Sequence, residues 1–253
     1  MASIDKEYNA LAATYNAIEE LPQSALYQED VKRALGDCTG KAILDLGGGT
    51  GLHARNALAL GAELVDVVDI SPAMLEIGKN IDPAEKRLRW HVADISKPLT
   101  HLPLEKQGYD ITMVNWTFDH AKTIADLEAM WQNTARYTKK GGKLISIRMA
   151  NPRATSAKGV KYGVSFSHIE DIAGGLKYVY TTHIDPPLSC PGTSMSECMD
   201  FEKAKLMARR FGFAEWSKVV DEEGEVVKSD PGFWEEHLRD PVWICVVATK
   251  VEN

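Results

Sequence analysis

Asp45-Leu46-Gly47-Gly48-Gly49-Thr50-Gly51 follows a short apolar run, Ala42-Ile43-Leu44, and leads into a helix-like stretch from Leu52 to Leu60 that stops at Gly61. A short apolar run bounded this way reads as a buried strand, so the glycines make a strand-to-helix turn. Glycine lets the backbone turn sharply and lets another group approach with no Cβ in between. The helix beyond offers unpaired N–H groups in its first turn. The dinucleotide fingerprint GxGxxG does not fit, because its third glycine, counted from Gly47, falls on Leu52. Instead the glycines alternate, and an acid stands two residues ahead of the first.

Outward from this turn, strand and helix signals alternate. Leu64–Ile70 reads as a strand, and Ser71-Pro72 opens a helix to about Asn80, with proline in the first turn where its missing N–H does no harm. Arg87–Ala93 and Tyr109–Asn115 read as strands, then Ile124 to Tyr137 as a helix. Gly141-Gly142 reads as a turn before a strand at Lys143–Met149. Such a series implies an α/β, doubly wound, mostly parallel sheet with helices on both faces. Ahead of it, residues 5–21 and Ala25 to Leu35 read as helices. Behind it come a helix at Phe201–Phe211 and strands at Ala214–Val220 and Val242–Lys250, an antiparallel pair at one edge. Residues between Ala150 and Asp200 look irregular, with one strand at Lys177–His183. One continuous domain over residues 1–253 is expected: a helical lid over 1–40, a cofactor-binding core over 41–149, an insert over 150–200 and the terminal pair within 201–253.

Asp69 closes the second strand, 18 residues past Gly51, where an acid can accept hydrogen bonds from ribose hydroxyls. Asp94 closes the third, where a carboxylate can receive an exocyclic amine. With Asp45 they fall at the carboxyl ends of parallel strands, where open α/β sheets bind ligands.

Composition narrows the partners. Lys and Arg number 29 against 36 Asp and Glu, a net charge of −7, which argues against a nucleic-acid binder. Nine acids and three bases fall within residues 215–240, so six of the seven net negative charges belong to that one connection, expected to be a solvated face. No stretch approaches the ~20 apolar residues of a membrane-spanning helix. The N-terminal stretch lacks a signal-peptide pattern. Cys38, Cys190, Cys198 and Cys245 are scattered with no metal-ligand spacing. A cytoplasmic protein with reduced thiols and no bound metal is expected.

At these residues the sequence resembles the class I S-adenosylmethionine-dependent methyltransferases. The resemblance covers Ala42 to Met149 and the terminal strand pair. Asp45-x-Gly47-x-Gly49-x-Gly51 is similar to the family's first motif, Asp69 to its ribose acid, and Asp94-Ile95 to its adenine-contacting position. Tyr109-Asp110 through Asn115 resembles its fourth-strand motif, and Lys140-Gly141-Gly142-Lys143-Leu144 the turn before its fifth strand. Tyr8-Asn9 through Ala13-Thr14-Tyr15-Asn16 resembles the lid helix of small-molecule members. The resemblance implies a seven-stranded Rossmann-like sheet with a reversed last strand and S-adenosyl-L-methionine as cofactor. It implies cofactor contacts from Tyr15, Asp45, Gly47, Gly49, Asp69, Ile70, Met74, Asp94, Ile95 and Asn115.

On the acceptor side, the fourth strand exits into Asn115-Trp116-Thr117-Phe118-Asp119-His120. His120 is the candidate general base, since an unperturbed imidazole titrates near neutrality. Its competing role is a helix-start residue held by Asp119. Trp116, Tyr162, Phe166, His168 and His183 are candidate substrate contacts, with the two histidines as secondary bases, and either Tyr178 or Tyr180 is expected to pack the insert onto the sheet. Asn115 is not followed by Pro-Pro-Tyr/Phe, and no dimerisation segment or basic tail is present. The expected reaction is methyl transfer to N, O or S of a free small molecule, a specialised metabolite, by a monomer or homodimer. Two other readings are a protein of the same fold that binds the cofactor without methylating, and a nicotinamide-dependent oxidoreductase.

Overall fold

The computed structural model describes residues 15–252. Helix α1 (Tyr15–Glu19) and α2 (Pro22–Leu35) precede strand β1 (Ala42–Leu46). Then α3 (Leu52–Ala59), β2 (Leu64–Asp69), α4 (Pro72–Ile81), β3 (Leu88–Val92) and β4 (Tyr109–Met113) follow in turn. A 3-10 turn, Phe118–His120, leads to α5 (Ile124–Tyr137) and β5 (Thr138–Met149). Beyond lie β6 (Val164–Ile172), β7 (Gly175–Thr182), β8 (Leu188–Met195), α6 (Ser196–Met199), α7 (Phe201–Arg210), β9 (Phe213–Lys218), α8 (Glu225–Ser229), α9 (Pro231–Arg239) and β10 (Trp243–Lys250). Most of the expected helix over 5–21 lies outside the described residues.

Seven strands form one sheet in the order β3-β2-β1-β4-β5-β10-β9. β3 through β5 run parallel, and β10 runs antiparallel to both β5 and β9. This is the expected doubly wound, Rossmann-like sheet with its last strand reversed. The strands are buried on both faces because alternate residues serve separate cores. Ile43, Val65, Val67, Ile111, Ile145 and Cys245 pack under α2, α3 and α4, while Leu44, Leu46, Val68, Leu144, Ile244 and Val246 pack under α5 and α7.

The helices start where local chemistry permits. Ser71 accepts from the Met74 N–H with Pro72 in the first turn, Thr123 from Asp126 N–H, and Asp200 from Lys203 N–H. Helix α2 begins at Pro22, a turn earlier than expected, with the proline in its first turn and no side-chain cap at Leu21.

Three expectations need correction. Gly141-Gly142 is not a turn before β5 but an irregularity within it: pairing with β4 jumps from Tyr109↔Thr138 to Ile111↔Lys143. The 150–200 stretch is not irregular. Its strands β6, β7 and β8 form a three-stranded antiparallel sheet. Its signal was broken by a register shift between Ser167 and Glu170 in one edge strand and by Pro191-Gly192 in the other. Proline is tolerated there because an edge strand has N–H groups that need no ladder partner. Finally, the acidic 215–240 connection is more than a solvated face. Asp230 caps α9, and Val227, Trp234 and His237 are buried. Glu29 of α2 accepts from the N–H groups of Glu225 and Val226, and Arg33 pairs with Glu223 at 2.8 Å.

Candidate active site

The carboxyl ends of β1, β2 and β4 open into a cavity of about 240 Å³, roofed by α1, α2 and the β6–β8 sheet. Its lining includes Asp45, Gly47, Gly49, Asp69, Ile70, Met74, Asp94, Asn115, Trp116, His120 and Phe166, so most of the expected site residues meet there.

Gly47 sits at φ +75°, and a Cβ there would lie 2.1 Å from Thr117 Oγ1. The group that approaches this glycine is thus the chain's own loop after β4. Gly51, at φ +77°, has Trp90 of β3 against it in the same way, 2.6 Å from where a Cβ would stand. Thr117 is fixed by its hydroxyl, which lies 2.9 Å from the Asn115 carbonyl and 3.1 Å from that of Leu46. Trp116 beside it is a non-glycine residue at φ +55°. Left-handed backbone at a bulky residue is strained and survives only where the surroundings enforce it. Here the Trp116 N–H donates to Ile147 O at 2.8 Å, and its ring meets Tyr27 edge-on.

Asp45, at the end of β1, is buried with its Oδ2 unpartnered among the described residues. Burial, reinforced by the Asp69 charge, pushes its pKa up to about 7. Asp69 is also raised by burial, opposed by backbone N–H donors. Its Oδ2 accepts from Gly49 N–H at 2.9 Å and its Oδ1 from Ser71 N–H at 2.8 Å. Each carboxylate oxygen keeps a second lone pair for a ligand hydroxyl. Asp94 Oδ1 accepts from the N–H and hydroxyl of Ser96. Asn115 Oδ1 accepts from Ile147 N–H, and its Nδ2 is buried without a partner among the described residues.

Not every expected residue arrives. Ile95 is buried in the core under α5 and does not line the cavity. Tyr162 packs between Phe233 and Trp234 and donates its hydroxyl to Phe233 O. His168 is exposed at φ +51°, beside the β6 irregularity, and His183 is hydrogen-bonded to Ser165 at 2.8 Å; neither lines the cavity. Tyr178 and Tyr180 both line it, because residues two apart on a strand share a face. Tyr15 opens α1, but its side chain lies outside the described residues. His120 lines the cavity, with its pKa pushed down to about 4 by burial and by nearby Lys122.

Sequence reasoning missed His53 and Glu19 and gave Asp119 no role beyond holding His120; all three are in the lining. Both ring nitrogens of buried His53 lack partners among the described residues, and its pKa is also down to about 4 through burial. Nothing in a helical pattern distinguishes such a histidine from a core one. Glu19 accepts from the Thr50 hydroxyl at 3.1 Å.

Residues 43–142 match the family described as a methyltransferase domain. Demethylmenaquinone methyltransferase from Tropheryma whipplei is 26% identical over 155 residues, covering 60% of this chain and 61% of that protein. The chain therefore spans less than two thirds of that curated relative. Among solved structures, an S-adenosylmethionine-dependent methyltransferase from Mesorhizobium loti aligns with a TM-score of 0.60 at 17% identity, covering 92% of this chain and 99% of that one. The [4+2]-cyclase SpnF aligns with a TM-score of 0.62 at 14% identity, covering 99% and 96%. S-adenosylmethionine, the family's cofactor, offers an ammonium group, a ribose diol and an adenine amine. The unpartnered Asp45 oxygen, Asp69 and Asp94 are acceptors of the kind those donors need, and Ile70 and Met74 supply apolar contact. Sequence motifs, sheet order and cavity agree with that match: residues 43–142 form a methyltransferase domain, set in a chain similar in fold to class I S-adenosylmethionine-dependent methyltransferases.

Proposed function

We propose that the chain transfers a methyl group from S-adenosylmethionine to a flat, ring-bearing small molecule held between the loop after β4 and the β6–β8 sheet. The observation that carries this reading is the gathering of Asp45, Asp69 and Asp94 with the glycine turn around one cavity. When bound, the cofactor supplies a methyl group activated on a positively charged sulfur. Asp69 would hold the ribose hydroxyls, Asp94 the adenine amine and Asp45 the ammonium. Helices α1 and α2 act as a lid, contributing Ile18, Glu19, Gln23 and Gln28.

Trp116, Phe166, Tyr178, Tyr180 and Trp243 give the acceptor end an aromatic wall suited to a flat ring. The Tropheryma relative, a demethylmenaquinone methyltransferase, supports a quinone-type ring, and a Vibrio vulnificus relative, a ubiquinone/menaquinone biosynthesis C-methyltransferase, adds carbon to N, O and S as an acceptor atom. Much of the rate in such a site comes from holding the acceptor in line with the methyl group and excluding water.

A second reading rests on the fold shared with the [4+2]-cyclase: the cofactor binds, but no methyl is transferred. Incubation of the protein with S-adenosylmethionine and a metabolite extract, followed by mass spectrometry, separates the two. A product heavier by one methyl is expected. Its absence despite cofactor binding contradicts the proposal in favour of the second reading.

A further inference from the structure

Five carboxylic acids line the cavity, Glu19, Asp45, Asp69, Asp94 and Asp119, and among the described residues no lysine or arginine does. Asp45, Asp69 and Asp94 stand at strand ends that suit the cofactor, and Glu19 belongs to the lid. Asp119 lies apart from them, in the 3-10 turn beneath the β6–β8 sheet. Its Oδ2 accepts from the Met149 N–H at 3.0 Å, while its buried Oδ1 has no partner among the described residues.

The groups around Asp119 explain why no protein donor reaches that oxygen. From β8, the Ser194 hydroxyl approaches the Asp119 main-chain carbonyl at 3.4 Å and leaves the carboxylate alone. The Tyr178 hydroxyl is engaged with Ser194 at 3.1 Å. Cys198 of α6 donates to the Phe118 carbonyl. Arg148 of β5, itself buried, sits 5.4, 5.9 and 5.3 Å from the ring centres of Phe118, Trp131 and Trp216. It donates to Glu197 O at 3.3 Å and hydrogen-bonds Cys198, while its buried Nε and Nη1 have no partner among the described residues and the side chain stays out of the cavity lining. A buried carboxylate oxygen without a donor is costly, and native structures seldom keep one without a use.

We propose that Asp119 is the group that receives the methyl acceptor, taking a hydrogen bond and then the proton from its O–H or N–H at Oδ1, so that the cavity selects donors over anions. This rests on the methyltransferase reading above. In the step, the acceptor's O–H or N–H bond breaks and a new O–H bond forms at Oδ1. The electron pair stays on the acceptor atom, which becomes the nucleophile, and the carboxyl later releases its proton to solvent. Two neighbours are thereby ranked by their surroundings. Burial raises Asp119 to about 6 against the opposing pull of Arg148, while burial drops His120 to about 4. The carboxylate is then the stronger proton acceptor of the two, the reverse of their ordinary order. His120 is left as a neutral hydrogen-bonding neighbour.

The test uses the full chain saturated with S-adenosylhomocysteine and three probes of matched size, phenol, benzylamine and benzoate, with binding read by ligand-observed NMR. The expected result is that phenol or benzylamine binds at least tenfold more tightly than benzoate. Which of the two binds better separates an O–H from an N–H acceptor. In Asp119→Asn the preference should fall below threefold with affinity for S-adenosylhomocysteine unchanged. No preference in the wild type, whether all probes bind alike or none binds, overturns the proposal, as does a preference that survives in Asp119→Asn. If that variant loses S-adenosylhomocysteine binding, phenol against anisole on the wild type decides: equal binding overturns it, and tighter phenol binding supports it. Failure of the wild type to bind S-adenosylhomocysteine defeats the methyltransferase reading instead, and is read separately.

Discussion

Thr117 leans on Gly47 so closely that a Cβ on the glycine would lie 2.1 Å from the threonine Oγ1. The contact ties the loop after β1 to the loop after β4, the two walls of the cavity, with no ligand involved. Gly47→Ala should therefore destabilise the protein by about 2–4 kcal/mol, from left-handed strain and a displaced neighbour together. Thr117→Ala removes the clashing hydroxyl and methyl, so the double variant should recover about 1 kcal/mol of that loss. Denaturant unfolding of the four proteins in a double-mutant cycle measures it, and strict additivity would contradict the contact.

Asp69 has both oxygens engaged by backbone N–H groups, yet it lines the cavity with lone pairs to spare. Asp69→Ala should weaken S-adenosylhomocysteine binding by about 1.5–3 kcal/mol, roughly 10- to 150-fold, the worth of hydrogen bonds to a charged group. Titration calorimetry on the folded variant reads this directly.

The buried Asp45 carboxyl titrates near 7 because burial and Asp69 disfavour its charge. A ligand ammonium wants it ionised, so affinity for S-adenosylhomocysteine should rise as pH climbs from about 5 to about 7, by up to tenfold per unit, and then level off. Asp45→Asn should flatten that profile.

Asp30, buried in α2, titrates near 8, raised first by burial and next by Asp221. An acid with a folded pKa above its unfolded value of 3.8 holds its proton more tightly when folded. Stability is therefore lost as pH rises across the window from about 4 to about 8. Asp30→Asn, always neutral, should match the wild type near pH 4 and melt a few degrees higher near pH 8.5, the shift of about 1–2 kcal/mol in a chain of this size. Equal melting temperatures at the higher pH would show that Asp30 carries no such burden.

Short apolar runs, the glycine turn ending at Gly51 and Ser71-Pro72 at a helix start made the core of the sheet readable from its residues. The acids at three strand ends were readable for the same reason, since a strand's end fixes where its next residue points. The β6–β8 sheet was not, because Pro191-Gly192 and the shift at Ser167 break the alternation that marks a strand. Helices α8 and α9 hid behind nine acids whose charge masked Val227 and Trp234 beneath them. His53 went unread, and Asp119 was read only as a holder of His120, because their importance lies in what fails to reach them among the described residues: unpartnered atoms are a property of packing, which no linear pattern records. His168 and His183 misled for the opposite reason, since residue type alone drew attention to side chains that do not line the cavity.

A cavity built for S-adenosylmethionine should refuse a nicotinamide dinucleotide. Isothermal titration of the full chain with S-adenosylhomocysteine and, separately, with NAD tests it most directly. Saturable one-site binding of S-adenosylhomocysteine with no heat from NAD is the predicted result, and binding of NAD alone would contradict the account.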